Sequence, residues 1–428
     1  MGLDEALATA VARYVERRPR SQAMAERAAH VLPGGNTRSV LHVDPFAFRV
    51  DHADGACLVD VDGHAVVDLL GDYSAGLLGH RPEAVEQAWR ARLERGWSLG
   101  TMGTDETAFA EAIVDRFPAI EQVRFTNSGT EANLMAIQAA RHATGRDRVV
   151  VFDGAYHGGL LYFGPTGAAL RAPFDWLVLP WDDPAAIEEA FAAHGDEIAC
   201  VLLEPMLGAG GCIPASPAML SAVVEATTDH GALVVLDEVM TSRMARGGAQ
   251  ERLGITPDLV TLGKYLAGGA SFGAFGGSRQ VMSAFDPTVG GLTHGGTFNN
   301  DVLSMVAGTV VADLLADGRL LDDLFARGER LQADLAAVFA EATIPMTVTG
   351  WGSLMTIHPV AGPVHGPADL ADADERWRLL FFHDLLEAGF YLAPRGYLAL
   401  SLDVTDDHLA AFVAATAEFC RRHAHLAT

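Results

Sequence analysis

Cysteine is scarce in this chain of 428 residues, and the four present, Cys57, Cys200, Cys212 and Cys420, form no C-x-x-C pair. Such spacing suggests neither a zinc site nor a disulfide framework, so no metal is expected and free thiols in a reducing cytosol fit best. Positive charge is also short, with 30 Lys and Arg against 55 Asp and Glu and a formal charge of -25. With no basic stripe to neutralise phosphates over a surface, a nucleic acid or anionic membrane is not the expected partner. Anions must instead be recognised by a few placed arginines and backbone amides. No apolar run is long enough to cross a bilayer,. Met1 to Arg20 carries Asp4, Glu5, Arg13, Glu16 and three further arginines, without the apolar core of a signal peptide,. Together these absences predict a cytoplasmic protein.

What is present is a globular composition, half apolar and one-fifth charged, at a length that predicts two or three folded units,. Residues 3 to 31 read as helical through Leu7, Val11, Tyr14, Met24 and Ala28, up to the break at Pro33-Gly34-Gly35,. Short strands punctuated by Asp54-Gly55 and Asp62-Gly63 then suggest an antiparallel platform,. From about residue 83 to 310 amphipathic helices alternate with apolar runs: Gln122 to Thr126, Arg148 to Phe152, Trp176 to Leu179, Ile198 to Leu203, Ala232 to Leu236 and Leu259 to Leu262. Strands apolar on both faces and separated by helices belong to a mainly parallel α/β sheet, whose ligands collect beyond the carboxyl ends of the strands. After about residue 311 the pattern becomes α+β, with a long helix, strands within Ile344 to Ile357, a helix from Ala373 to Leu386 and a strand pair within Tyr391 to Leu402. The expected division is 1–70 as N-terminal helix and platform, 71–310 as the large domain and 311–428 as a smaller domain. The Pro-, Gly- and Asp-rich segment from Ala361 to Ala373 is the candidate mobile loop,.

The chemistry should therefore sit at the strand ends. The first run leads into Asn127-Ser128-Gly129-Thr130-Glu131, where Ser128 and Glu131 have capping-box spacing,. The helix start is either a bare cap or an anion site, most often for phosphate. The second leads into Gly154-Ala-Tyr156-His157-Gly158, where Tyr156 either stacks on a flat ligand or packs in the core,. The fourth ends at Glu204-Pro205, and the fifth pushes Asp237 into a dry site, where a carboxylate needs a cation or strong donor,. The sixth stops at Lys264, which either begins a surface turn or delivers an amine that reacts with carbonyls,. Earlier, Arg38 follows a Gly-Gly turn and is either a carboxylate clamp or an ordinary surface or paired arginine,.

A phosphate cup, a stacking ring, a buried carboxylate and an aldehyde-reactive lysine are what pyridoxal 5'-phosphate requires. The order Ser-Gly-Thr, Tyr-His-Gly, Asp-Glu-Val and then Lys264 resembles the class III aminotransferases of pyridoxal phosphate fold type I over essentially the whole chain. That resemblance implies a mainly parallel large domain and a smaller α+β domain built from both termini. It implies Lys264 as the Schiff-base lysine, Asp237 as partner of the pyridine nitrogen, and Val239 and Tyr156 on the two faces of the ring. Ser128, Gly129 and Thr130 become the phosphate cup, and Glu204 lies near the phenolic oxygen. Thr297 reaches the phosphate from a neighbouring subunit, hence a homodimer with shared sites.

Within the family, Asp237 to Arg243 and Thr261 to Gly277 look closest to the glutamate-1-semialdehyde aminomutase group. Ala209 and Ser242-Arg243 depart from a true aminomutase, and Gly34 to Val40 with His294 to Asn300 resemble the β-amino-acid aminotransferases. In that subgroup the arginine matched by Arg38 holds the donor carboxylate and the one matched by Arg395 holds that of the acceptor. Val40, Tyr73 and Phe298 are candidates for the side-chain surroundings. The expected activity is transfer of the amino group of a β-amino acid such as (S)-β-phenylalanine to 2-oxoglutarate or pyruvate, with 2,1-aminomutase as the alternative.

Overall fold

The structure, a computed structural model, describes residues 2–289, 291–342 and 344–427. Two compact units result, one of residues 1–82, 326–363 and 370–428 and the other of 83–325 and 364–369.

The second unit is built on a seven-stranded sheet in the order Gln122–Thr126, Gly273–Gly277, Leu259–Gly263, Leu233–Asp237, Ile198–Leu203, Arg148–Phe152, Asp175–Leu179. All neighbours run parallel except Gly273–Gly277, which is antiparallel to both of its partners. Ile198–Leu203 and Leu259–Gly263 are buried along their whole length, as expected of central strands covered on both faces. Gly273–Gly277 has no apolar run to mark it in the sequence because three of its five residues are glycine. Close approach requires them: a Cβ on Gly276 would lie 2.6 Å from the Gln122 carbonyl oxygen, and one on Gly277 2.3 Å from that of Asp258,. Helix Gly129–Thr144 packs on this sheet with five of its buried positions apolar or small, Ala132, Ala136, Ile137, Ala139 and Ala140. It ends at Gly145 in the left-handed region, φ +69°,. The segment 364–369, within the stretch expected to be mobile, is tied by the Asp369 carboxylate, which accepts from His365 and Gly366 backbone N–H groups.

The first unit holds an antiparallel sheet, Val50–Asp54, Cys57–Asp60 and Ala65–Asp68, joined in parallel by the C-terminal strand Phe390–Tyr391. A second antiparallel sheet contains Thr347–Trp351, Leu354–His358 and Tyr397–Ala399. The N-terminal helix expected over 3–31 is two helices, Leu3–Arg17 and Pro19–Ala29. Pro19 starts the second because its ring and missing N–H suit a first turn and interrupt a helix interior. Tyr14, Val43, Phe46, Leu58, Val66, Phe382 and Leu386 pack as one core, which burial of roughly 1.5–3 kcal/mol per large apolar side chain stabilises. Among the described residues no helix is long and apolar enough to cross a membrane.

Candidate functional site

In the second unit, the strand ends converge as sheet geometry demands. Ser128 caps helix Gly129–Thr144, its Oγ accepting from the Glu131 N–H at 3.2 Å. The Glu131 carboxylate accepts from the Asn127 backbone N–H at 2.9 Å and its side-chain amide at 3.0 Å, one residue earlier than a capping box would have it. The cup is tight. A Cβ on Gly129 would meet Val239 Cγ2 at 2.8 Å, and one on Gly158 would meet Thr130 Oγ1 at 2.1 Å. These absent side chains let Val239, the helix N-terminus and the Thr130 hydroxyl stand together beside Gly263, whose own Cβ would sit 3.2 Å from Val239 Cγ1,.

Asp237 is 5% exposed and well supplied with donors. Its Oδ2 accepts from Asn133 Nδ2 and lies against His157 Nδ1, both at 2.8 Å, and its Oδ1 accepts from the Val239 N–H at 3.0 Å. Asn133 Oδ1 in turn accepts from the Thr261 hydroxyl at 2.8 Å. A carboxylate offers about four acceptor positions, so Oδ1 retains room for one more donor. Glu204, also 5% exposed, accepts from the Tyr156 N–H at 2.9 Å and the Gly208 N–H at 3.0 Å. Burial, reinforced by the Asp237 charge, pushes the Glu204 carboxyl up to about 7 against the pull of His157 and those two N–H groups,. Adjacent Glu238 is raised to about 7 by burial but faces away, accepting from Ala249 and Gln250 to fix the following loop.

Lys264 directly follows strand Leu259–Gly263 and is half-buried, with a left-handed φ of +56°. A side chain there costs on the order of 1–2 kcal/mol, strain that a functional site tolerates when packing over-determines it. Its neighbour Tyr265 supplies that packing: the ring is buried and its hydroxyl accepts from Arg116 Nη2 at 2.7 Å. Tyr156 is 43% exposed and makes an edge contact with Tyr162 at 5.6 Å, so its ring is not core. Thr297 is exposed and Phe298 is 69% exposed, while nearby Asn299 accepts from Asn127 at 2.9 Å.

In the first unit, four consecutive residues, Gly71 (φ +52°), Asp72 (+43°), Tyr73 (+54°) and Ser74 (+74°), make a left-handed turn. Arg38 Nη1 pairs with Asp72 Oδ1 at 2.8 Å. The Arg38 and Arg395 guanidinium carbons lie 5.4 and 5.3 Å from the centroid of the Tyr73 ring. Tyr73 stacks on Tyr397 at 5.7 Å, and its hydroxyl donates to the Val40 carbonyl at 3.1 Å. Val40 therefore contributes its carbonyl to this cluster and leaves its side chain exposed.

Residues 40–166 and 179–418 match the family described as aminotransferase class-III. The chain belongs to the class III aminotransferases. It is 47% identical to the β-phenylalanine transaminase of Variovorax paradoxus over 424 residues, 99% of this chain and 98% of that protein. The crystal structure of the β-phenylalanine aminotransferase from that organism has a TM-score of 0.97, covering 99% of each chain. The glutamate-1-semialdehyde 2,1-aminomutase of Sorangium cellulosum is 39% identical over 405 residues, 90% of this chain and 92% of that protein. A solved transaminase with pyridoxal phosphate bound is 32% identical with a TM-score of 0.86, covering 95% of this chain and 98% of its own.

This aminotransferase uses pyridoxal 5'-phosphate, and its second unit fits that group. The glycine-lined cup at a helix N-terminus suits a phosphate, and the buried Asp237 with an acceptor position to spare suits a protonated ring nitrogen. Sequence reasoning assigned no role to Asn133, His157 or Thr261, polar residues whose partners come from three different strand ends. It also passed over the plainest signal in the chain: Lys264 is its only lysine, the remaining cationic side chains being arginine or histidine.

Proposed function

We propose that this aminotransferase moves the amino group of a β-amino acid, such as (S)-β-phenylalanine, to a 2-oxo acid such as 2-oxoglutarate or pyruvate. The observation that carries the reading is the grouping of two arginines, Arg38 and Arg395, about one tyrosine ring. A β-amino acid places its amine one carbon farther from the carboxylate than an α-amino acid does. One clamp cannot put both reactive carbons in the same position, and two can. Arg38 serves the donor carboxylate and Arg395 that of the acceptor. Tyr73 and Val40 are their immediate surroundings, and a cavity of about 670 Å³, lined by Arg38, Tyr73, Leu41, Phe46, Phe48 and Tyr391, offers apolar space beside the donor clamp,.

When bound, pyridoxal phosphate supplies an aldehyde that captures amines and a ring that accepts the electron pair left by breaking a carbon–hydrogen bond. The chain's residues do the rest. Ser128, Gly129 and Thr130 would hold the phosphate, assisted by Thr297 from a second copy in a homodimer, a reading in keeping with the exposure of Thr297 and Phe298. Val239 and Tyr156 would bound the ring on its two faces. Asp237 would keep a proton on the ring nitrogen, and Glu204, its carboxyl able to be neutral near pH 7, would serve the phenolic oxygen,. With the cofactor bound, Lys264 Nζ would hold its aldehyde and, once freed by a donor amine, would carry the proton of the amine-bearing carbon. We place the enzyme in the cytoplasm, in keeping with free Cys57, Cys200, Cys212 and Cys420,.

The test is to mix purified holoenzyme with (S)-β-phenylalanine and 2-oxoglutarate. Formation of glutamate and a 3-oxo acid is expected. Isomerisation of glutamate 1-semialdehyde with no external acceptor, and no glutamate from the mixture, would instead make it an aminomutase.

A further inference from the structure

The left-handed turn Gly71–Ser74 is too costly to be incidental. Three of its members carry side chains at positive φ, each costing on the order of 1 kcal/mol relative to an ordinary turn. The backbone is locked there from several directions. Asp68 Oδ1 accepts from the Leu70 and Gly71 N–H groups at 2.8 and 3.2 Å, Gly76 N–H donates to the Gly71 carbonyl at 2.9 Å, and a Cβ on Gly71 would strike the Ala399 carbonyl oxygen at 2.5 Å. What the turn achieves is to present two successive side chains to the arginine pair. Asp72 meets Arg38 in an ion pair whose side chains are 47% and 56% exposed, and Tyr73, only 7% exposed, offers its ring to Arg38 and Arg395 together.

Resting on the two-arginine reading above, we propose that this turn is a specificity-determining element. Asp72 is the resident carboxylate of Arg38, displaced by the carboxylate of the amino donor. Tyr73 is the positioning residue that holds both guanidinium groups. The consequence is asymmetric. A donor must compete with Asp72 for Arg38, so the charge of Asp72 bears on the donor rather than on a 2-oxo acid going to Arg395. Because the Arg38–Asp72 pair is solvent-exposed, the competition is mild, and salt weakens it.

Asp72→Asn isolates the effect. Asparagine tolerates the left-handed region at least as well as aspartate, so the turn is kept and only the charge is lost. The kinetics of the holoenzyme with varied donor and varied 2-oxo acid are then compared with the wild type. The expected result is a donor KM lowered by about 1.5- to 5-fold, the fold-change of an exposed ion pair, with the acceptor KM unmoved and the difference shrinking in 0.5 M salt, roughly a 4 Å Debye length. A donor KM that rises would make Asp72 a prop for Arg38, and equal shifts for donor and acceptor would remove the asymmetry; either overturns the proposal. Tyr73→Leu should raise both KM values about 3-fold or more with little change in kcat, and Tyr73→Phe, which keeps the ring, should restore them. A fall in kcat alone, or no recovery in Tyr73→Phe, counts against the positioning role. If the wild type turns over no β-amino acid, the substrate assignment fails separately. The same donor and acceptor comparison with an α-amino acid still decides what the turn does.

Discussion

Two regions of this molecule handle charge in opposite ways. In the second unit a carboxylate, Asp237, is buried and surrounded by Asn133, His157 and the Val239 amide, and Asn133 is itself held by Thr261. In the first, a guanidinium, Arg38, is exposed and paired with an equally exposed Asp72. The buried set is pre-organised and low in dielectric, so each contact is strong and a missing partner is expensive. The exposed set is weak and exchangeable. A cofactor that stays calls for the first arrangement, and two carboxylic acids that alternate call for the second.

Lys264→Ala attacks the buried side most severely. Turnover should fall by at least about 10⁴-fold if Lys264 is, as proposed, both the covalent attachment and the proton carrier, and the visible absorbance of the lysine-bound cofactor should vanish. A band that survives in the variant would end the assignment. Asp237→Asn keeps shape but not charge, and kcat should drop by roughly 10²- to 10³-fold. In the first unit, Arg38→Ala should raise the donor KM by about 10- to 100-fold and Arg395→Ala that of the acceptor, as expected for a charge-assisted contact worth about 1.5–3 kcal/mol. Equal effects on both substrates would dissolve the contrast between the two clamps.

Glu204 sharpens the comparison from a smaller effect. Its folded carboxyl, at about 7, lies above its ordinary value of 4.5. The native state thus binds this proton more tightly than the unfolded chain, and the stability it brings is full at low pH and lost as pH rises from about 4.5 to about 7,. Thermal unfolding of cofactor-free Glu204→Gln and wild type at pH 5 and pH 8 checks this. The variant should gain on the wild type at the higher pH, by a few degrees at most, since a chain of 428 residues shifts less per kcal/mol than a small domain does,. No pH-dependent difference would mean that Glu204 is well solvated.

Much of the buried side was legible because burial writes itself into apolar runs. Gln122–Thr126, Arg148–Phe152 and Ile198–Leu203 have the expected limits, and the residues that follow them are the ones that converge. Gly273–Gly277 was not legible as a strand, since its glycines answer to neighbouring backbone rather than to hydrophobicity. Asn133, His157 and Thr261 escaped for a related reason: a buried polar side chain is explained only by its partners, and these lie up to 128 positions apart in the chain. In the first unit, Arg38 was marked as a possible clamp by its place after a Gly-Gly turn, its donor role and the choice of Arg395 came through family resemblance, and Asp72 came through neither route. Left-handed backbone at non-glycine residues has no sequence mark beyond a tolerance for Asp and Asn.

Lys264 stands in a chain with no second lysine, and this makes the polypeptide chemically addressable at one point. Borohydride reduction of the holoenzyme should leave a single tagged lysine, readable by mass spectrometry without mapping competing adducts. Lysine-specific isotope labelling would give a spectrum of one residue. Free aldehydes, including cofactor in excess, find no other ε-amine on which to lodge, which leaves the α-amine as the competing amine to correct for when cofactor stoichiometry is used to count active sites,.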